Sequence, residues 1–163
     1  MRLKLAVVMD PIEHIHPTND TTVHLLEAAQ RQGFEITYLS QKSLFIKDGQ
    51  SYGSGKVIKI HFEANEYKPK DIWYTETSQQ EDVPLTDFDV ILMRKDPPFT
   101  LEYIYTTYIL ELAEKAGVLV LNKPQSLRDA NEKLFATHFP QCCPLTLISQ
   151  DKAHLHNFWK QEK

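Results

Sequence analysis

Residues 88–99 read Phe-Asp-Val-Ile-Leu-Met-Arg-Lys-Asp-Pro-Pro-Phe, an apolar run of strand length that stops on two cations, a carboxylate and two prolines. The apolar run is continuous rather than alternating, which is typical of a strand covered by helices on both faces. Because prolines lack an N–H group and fix φ, the strand cannot continue beyond Asp96. Arg94, Lys95 and Asp96 are therefore predicted to lie at the carboxyl end of a buried strand, where open α/β sheets bind ligands.

Two other apolar runs end in the same way. Residues 3–9 lead into Asp10 and a proline, and residues 118–121 lead into Asn, Lys123 and a proline. Because the carboxyl ends of parallel strands meet at one edge of a sheet, three such endings predict a shared polar rim. We expect Asp10, Arg94 and Lys123 to converge on one ligand crevice.

Helix signals alternate with these strands. Any of Asp20, Thr21 and Thr22 can cap a helix that ends near Gly33, and residues 34–39 alternate as a strand should. Residues 100–116 predict a second helix with an apolar stripe that faces the sheet. The stripe consists of Leu101, Tyr105, Tyr108 and Leu112. Two βαβ units follow from this order, and they predict parallel strand pairs.

Residues 43–87 interrupt the alternation. A hairpin is predicted around Asp48 and the glycine that follows it, and Gly53-Ser-Gly adds a further turn signal. Residues 67–87 are polar, and we expect them to be irregular apart from brief strand pairing at 72–74.

The character of the chain changes again after the third strand. Residues 126–131 and 132–136 predict short helices, residues 146–149 a short strand, and Asp151 the N-cap of a last helix. The last helix carries Trp159 close to the final residue, where a large apolar group would need further surface to pack against. We therefore expect the sequence to be part of a longer protein.

The composition excludes several classes of function. The chain has 163 residues, of which 42% are hydrophobic and 25% charged, as in an ordinary soluble protein. The formal net charge of -4 provides no basic face, so we expect no nucleic-acid partner. No apolar segment approaches the roughly 20 residues that span a bilayer, and acidic residues interrupt the N-terminal apolar run. The sequence predicts a cytoplasmic protein with no membrane partner.

Three segments carry a resemblance to a known family. They are Val7-Val-Met-Asp-Pro11, the block at residues 87–99, and Leu121-Asn-Lys-Pro-Gln-Ser-Leu-Arg-Asp-Ala-Asn-Glu-Lys-Leu-Phe135. Together they closely resemble bacterial glutathione synthetase, an ATP-grasp ligase. The third segment is long and chemically uneven, which makes coincidence improbable, and the resemblance covers nearly the whole chain.

The resemblance implies an α/β fold with a mostly parallel sheet flanked by helices, the Rossmann-like pre-ATP-grasp domain. Residues 1–122 would form this substrate-side domain, and residues 123–163 the linker and the beginning of an ATP-grasp lid domain. The parent enzyme would join γ-glutamylcysteine to glycine with ATP and Mg²⁺ through an acyl phosphate. Its metal ligands are expected beyond Lys163, so we assign no catalytic or metal-binding residue here and expect this segment alone to be inactive.

The expected binding residues follow from the rim and the family motif. Those assigned to substrate are Asp10, Arg94, Lys95 and Asp96. A guanidinium binds a carboxylate bidentately, although Arg94 could instead form an ion pair with a neighbouring aspartate. Lys133 matches the family position that reaches the nucleotide phosphates. Lys123 is a second ATP candidate, with a simple interdomain turn as the alternative.

Other interpretations remain open from the sequence. The helix start at Asp20 could bind an anion or could simply be capped by its own side chains. His14 and His16 are predicted to be surface residues, because their spacing suits a metal only on a strand and no third ligand is suggested. The whole chain could be a noncatalytic small-anion-binding or oligomerisation module, or an ATP-grasp ligase with another substrate. A homo-oligomer is possible in each case.

Overall fold

The computed structural model describes residues 2–62, 72–96, 98–130 and 134–162. The strands are β1 (Lys4–Met9), β2 (Glu35–Lys47), β3 (Gln50–Ile60), β4 (Tyr74–Pro84), β5 (Val90–Met93) and β6 (Leu119–Leu121). The α-helices are α1 (Thr21–Arg31), α2 (Leu101–Lys115), α3 (Pro124–Asp129) and α4 (Lys152–Gln161). By its contacts the chain divides into two compact units, Met1–Arg128 and Asp129–Lys163. The predicted domain boundary after residue 122 stays a prediction.

The first unit contains one six-stranded sheet in the order β4-β3-β2-β1-β5-β6. β1 pairs in parallel with both β2 and β5, and β5 pairs in parallel with β6. β3 pairs antiparallel with β2 and with β4. The predicted α/β fold with a mostly parallel sheet is confirmed.

Helices cover both faces of the sheet. Because alternate residues of a strand point to opposite sides, one strand contributes side chains to the apolar clusters on both faces. Ala6 and Val8 of β1 pack in one apolar cluster with Leu110 of α2. Val7 packs in the other cluster with Leu26 of α1. The strand predicted to be covered on both faces is β5, where Ile91 and Met93 pack in the first cluster and Val90 and Leu92 pack against the second, so this prediction is confirmed.

α2 turns a different face to the sheet from the predicted one. Leu101, Tyr105 and Tyr108 are 57%, 56% and 49% exposed. The buried residues of the helix are Tyr103, Thr106, Thr107, Leu110 and Ala113. The two threonines tolerate burial because their hydroxyls donate to helix carbonyl oxygens at 2.9 and 2.7 Å. The prediction was wrong because it counted only large apolar side chains.

The antiparallel half of the sheet confirms the hairpin and corrects its surroundings. Asp48 and Gly49 have φ angles of 50° and 76°, as the two central residues of a type I′ turn require. Gly53 and Gly55 lie inside β3 rather than in a turn. A Cβ atom on Gly55 would lie 2.2 Å from the carbonyl oxygen of Tyr38 on β2, so this position requires glycine.

The expectation of irregular structure over residues 67–87 was wrong where the structure describes it. β4 spans Tyr74–Pro84 and pairs with β3 along its length, with two irregularities of register. β4 is an edge strand, and most of its side chains are exposed. Such a strand can be polar throughout, so it lacks the apolar signal on which the prediction depended.

The second unit contains 3₁₀ turns at Phe135–His138 and Pro140–Cys142, and helix α4. Asp151 caps α4 by accepting a hydrogen bond from the Ala153 N–H at 2.8 Å, as predicted. The strand predicted at residues 146–149 is absent, because this segment has no strand partner among the described residues. The helix predicted over residues 132–136 lies partly outside the described residues. Within the described ranges, no helix is long and apolar enough to cross a membrane.

Candidate functional site

A cavity of about 520 Å³ lies at the carboxyl ends of β1 and β5. These strands are parallel neighbours, so the residues that follow them emerge at the same edge of the sheet. The segment between β1 and α1 forms the opposite wall. The charged and titratable residues that line the cavity are Asp10, His14, His16, Asp20, Arg94 and Asp96. The predicted convergence of Asp10 and Arg94 is therefore observed.

The side chain of Arg94 is held by the first turn of α1. Its Nε donates to Thr22 Oγ1 at 3.1 Å, and its Nη2 donates to Thr21 Oγ1 at 3.0 Å. Its backbone N–H also donates to the carbonyl oxygen of Val8 at 2.7 Å. No carboxylate forms an ion pair with Arg94 in the part of the chain that the structure describes. The guanidinium is thus oriented by neutral groups and keeps its positive charge unpaired.

Asp10 and Lys95 have a different arrangement. Lys95 Nζ lies 2.8 Å from Asp10 Oδ1 and donates to the Asp96 carbonyl oxygen at 2.6 Å. The Asp96 N–H donates to the other carboxylate oxygen of Asp10 at 3.0 Å. Both oxygens of Asp10 therefore already bind the segment that follows β5. These contacts fix that segment and so fix the direction of Arg94.

The two cations at the end of β5 line different cavities. Lys95 lines a separate cavity of about 470 Å³ that contains α2 residues, whereas Arg94 lines the cavity beside α1. The carboxylate of Asp96 has no hydrogen-bond or ion-pair partner within the described ranges. Of the four residues assigned to substrate, Arg94 and Asp96 therefore retain free polar atoms at the cavity, whereas Asp10 and Lys95 form an ion pair with each other.

The start of α1 is capped by its own residues. Asp20 Oδ1 accepts from the Thr22 N–H at 2.7 Å, and the Asp20 carbonyl oxygen accepts from the Val23 N–H at 3.2 Å. The threonines that follow were predicted only as capping residues. The contact of their hydroxyls with Arg94 was missed, because the residues are 72 and 73 positions apart in the sequence.

Lys123, the first of the two lysines assigned to ATP, does not line this cavity. Lys123 follows β6, which is separated from β1 by β5. Its side chain is exposed, and its ammonium has no partner among residues that the structure describes. Its carbonyl oxygen accepts from the Leu127 N–H at 3.1 Å and so takes part in the start of α3. Lys133 lies outside the described residues. The predicted convergence thus includes Asp10 and Arg94 without Lys123.

A second polar cluster was not predicted. Arg128 donates to the buried Thr107 Oγ1 at 3.0 Å and to Glu111 Oε2 at 2.5 Å, both on α2. Its guanidinium carbon lies 4.3 Å from the centroid of the Tyr108 ring, a cation–π contact. A hydrogen bond from Lys115, with a further one from Arg128, holds the pKa of Glu111 below its ordinary value. These contacts fasten the third sequence motif to α2.

Comparison with known proteins identifies the family. Residues 3–128 match the family described as prokaryotic glutathione synthetase, N-terminal domain. The chain belongs to this family. It is 49% identical over 162 residues to the glutathione synthetase of Pseudomonas syringae pv. tomato, covering 99% of this chain and 49% of the relative. It is 46% identical over 159 residues to that of Escherichia coli O127:H6, covering 98% and 48%.

A glutathione synthetase of Yersinia pestis shows the same extent of match, 47% identity over 159 residues. The chain thus spans about half the length of these curated relatives, and it corresponds to their N-terminal portion. The resemblance noted in the three sequence motifs is confirmed. The cavity beside Arg94 lies within the residues that the family match covers.

Proposed function

We propose that this chain supplies the N-terminal, substrate-side part of an ATP-dependent ligase that joins γ-glutamylcysteine to glycine. The observation that carries the proposal is the oriented, unpaired guanidinium of Arg94 in a cavity at the carboxyl edge of the sheet. A guanidinium in this state is suited to bind a substrate carboxylate through paired hydrogen bonds. Family membership supports the reaction, and the geometry supports the role of Arg94.

The chemistry divides the work between this half and the remainder of the enzyme. Ligation through an acyl phosphate requires that water be excluded and that charge on the transferring phosphoryl oxygens be neutralised. ATP and Mg²⁺ would supply the phosphoryl group and much of that neutralisation. Lys123 and Lys133 are proposed to contact the nucleotide phosphates, and the metal ligands are expected beyond Lys163. The 163-residue chain alone should therefore bind substrate without ligating it.

A chimera tests the proposal. The present chain would replace the matching half of the Pseudomonas syringae glutathione synthetase, and phosphate release would be measured with γ-glutamylcysteine, glycine and ATP. We expect ligation that requires both amino-acid substrates. An active chimera that uses another acid or amine would instead support an ATP-grasp ligase of different specificity. A folded chimera that neither releases phosphate nor forms any peptide would refute the proposed function.

Substitution of Arg94 then tests its role. Arg94→Ala in the chimera should lower kcat/KM for γ-glutamylcysteine by about 10- to 150-fold, from the loss of a charged contact of about 1.5–3 kcal/mol. Arg31→Ala is the matched control, because Arg31 lies at the other end of α1 and its side chain is 67% exposed. Kinetics that are unchanged by Arg94→Ala would remove Arg94 from the substrate site.

A further inference from the structure

We infer that a second cavity, formed by β2 and α2, binds a small organic carboxylate with an apolar body. Its volume of about 470 Å³ lies within the range of small-molecule sites. It is separate from the cavity beside Arg94, because α2 and α1 pack in the apolar clusters on opposite faces of the sheet. The two cavities share no lining residue, so this inference does not depend on the proposed ligase function.

Two polar residues reach this cavity from an irregular segment of β2. The pairing of β2 with β3 shifts register between Leu39 and Leu44, so the residues between them bulge from the ladder. A bulge redirects side chains and is frequent beside functional sites. Gln41 and Lys42 lie within this bulge, and both line the cavity. The irregularity thus places an amide and an ammonium on one cavity wall.

The side-chain amide of Gln41 supplies an unused donor. Its Nε2 is buried and has no hydrogen-bond partner among the residues that the structure describes. A buried donor without a partner costs free energy, which an acceptor atom would recover. The terminal torsion of a glutamine is broad, so a small rotation turns the amide into the cavity that the residue lines. The ligand therefore needs an oxygen acceptor.

The ammonium of Lys42 determines the charge of the ligand. Lys42 is exposed, and it has no ion-pair partner in the described part of the chain. The other charged residues of the cavity are already engaged. Lys95 Nζ lies 2.8 Å from Asp10 Oδ1. Hydrogen bonds from its own backbone N–H and from the Thr100 hydroxyl lower the pKa of Glu102. The charge that stays unpaired is positive, which favours an anion.

The rest of the wall favours an organic anion over an inorganic one. Leu44, Pro98, Tyr105 and Ile109 line the cavity beside the polar residues. Leu44 is buried and Ile109 packs against the same cluster, whereas Tyr105 is 56% exposed. A bare phosphate or sulfate would leave this apolar surface in contact with water. An aryl or alkyl group attached to the carboxylate would cover it.

Three probes of one shape test the acceptor and the charge. They are 3-phenylpropionate, its neutral amide 3-phenylpropionamide, and the cation 3-phenylpropylamine. Each would be titrated into the isotope-labelled 163-residue chain, and the cross-peak of the Gln41 side-chain amide followed by NMR. We expect saturable shifts with the carboxylate at a dissociation constant of a few millimolar, as its size allows. The neutral amide should bind about two- to five-fold more weakly, and the amine should not bind.

Variants then assign each contact. Gln41→Leu should weaken binding of the carboxylate and of the neutral amide by about three- to ten-fold. Without a probe, it should raise the urea midpoint, because it removes an unsatisfied buried donor. Lys42→Gln should weaken only the carboxylate, by about two- to five-fold. Lys47→Gln is the matched control, because Lys47 is an exposed lysine at the far end of the same strand.

Several results would overturn the inference. Shifts confined to the N–H groups of Thr21 and Thr22 would mean that the carboxylate binds only beside Arg94. Equal affinity for the three probes would show that the cavity reads neither charge nor acceptor. A lowered urea midpoint in Gln41→Leu, or unchanged binding in that variant, would show that the amide is not an unused donor. None of these readouts involves ligation, so the proposed function is tested separately by the chimera.

Discussion

Replacement of Thr22 by valine separates the orientation of Arg94 from the rest of the fold. Thr22 is 3% exposed, and its hydroxyl accepts the Arg94 Nε hydrogen bond at 3.1 Å. Valine has the same shape and nearly the same helix propensity, so Thr22→Val changes little except the hydroxyl. The backbone N–H of residue 22 is still capped by Asp20 at 2.7 Å.

The magnitude follows from opposing contributions. A hydrogen bond to a charged group is worth about 1.5–3 kcal/mol, and the half-buried position of Arg94 lets water replace part of it. Burial of the additional methyl group in place of the hydroxyl offsets up to about 0.8 kcal/mol. We therefore expect Thr22→Val to lower the free energy of unfolding by about 1 kcal/mol. For a domain of this size this lowers Tm by about 2–4 °C.

Stability alone cannot identify the cause, because Thr22→Ser also costs about 1 kcal/mol through the lost methyl group. Hydrogen exchange of the Arg94 Nε–H, measured by NMR, discriminates between the two variants. Exchange should become about ten-fold faster in Thr22→Val, from the loss of roughly 1.4 kcal/mol of protection, and should stay close to the wild-type rate in Thr22→Ser. Equal exchange rates in the two variants would refute the proposed orientation of Arg94 by Thr22.

Three further predictions concern the scaffold of the site. Gly55→Ala should destabilise the chain by about 1–3 kcal/mol in urea unfolding, because the new Cβ would lie 2.2 Å from a backbone carbonyl oxygen of β2. In the control variant Gly53→Ala, the new Cβ meets only leucine side-chain atoms at 3.1 Å or more, so this variant should cost clearly less. Equal costs in the two variants would contradict the close approach of the β3 and β2 backbones at Gly55. Arg128→Lys should destabilise the chain by about 1–2 kcal/mol, because lysine cannot reproduce the forked hydrogen bonds to Thr107 and Glu111 or the contact with the Tyr108 ring. An unchanged urea midpoint would show that these contacts of Arg128 contribute nothing to stability. The pKa of Glu111 is lowered, chiefly by the hydrogen bond from Lys115, so the carboxylate's contribution to stability is complete above the ordinary value of 4.5 and is lost as the pH falls through the lowered pKa. The stability advantage of the wild type over Glu111→Gln should therefore shrink on acidification below about pH 5. A difference in stability that does not change with pH would argue against the lowered pKa.

The parts of the fold that depend on neighbours in sequence were predictable. Asp151 was identified as a helix cap, and Asp20 was one of three adjacent candidates for another; both accept the expected backbone hydrogen bond two residues ahead. Asp48 and Gly49 were identified as the hairpin turn, and both have the positive φ angles that this turn needs. In each case the residue and its partner lie within a few positions of each other. The side chain and the local backbone are then sufficient to determine the conformation.

The edge strand and the buried face of α2 were not predictable from the same reasoning. β4 is polar because its side chains are largely exposed at the edge of the sheet, and its pairing comes from backbone groups that carry no sequence signal. In α2, Thr106 and Thr107 are buried while Tyr105 and Tyr108 are exposed. Which face is buried depends on the packing partners that the sheet presents, and not on the hydrophobicity of the helix alone.

For the candidate site, the sequence by itself determined that Asp10 and Arg94 follow apolar strands and that the chain carries the motifs of its family. It could not determine that Asp10 would form an ion pair with Lys95 or that Arg94 would donate hydrogen bonds to Thr21 and Thr22. Those contacts join residues more than 70 positions apart. The pairing of β1 with β5 brings Asp10 to Lys95, and the packing of α1 against the sheet brings the threonines to Arg94. The charge that stays unpaired at the cavity, and hence the ligand it suits, is therefore a property of the tertiary structure.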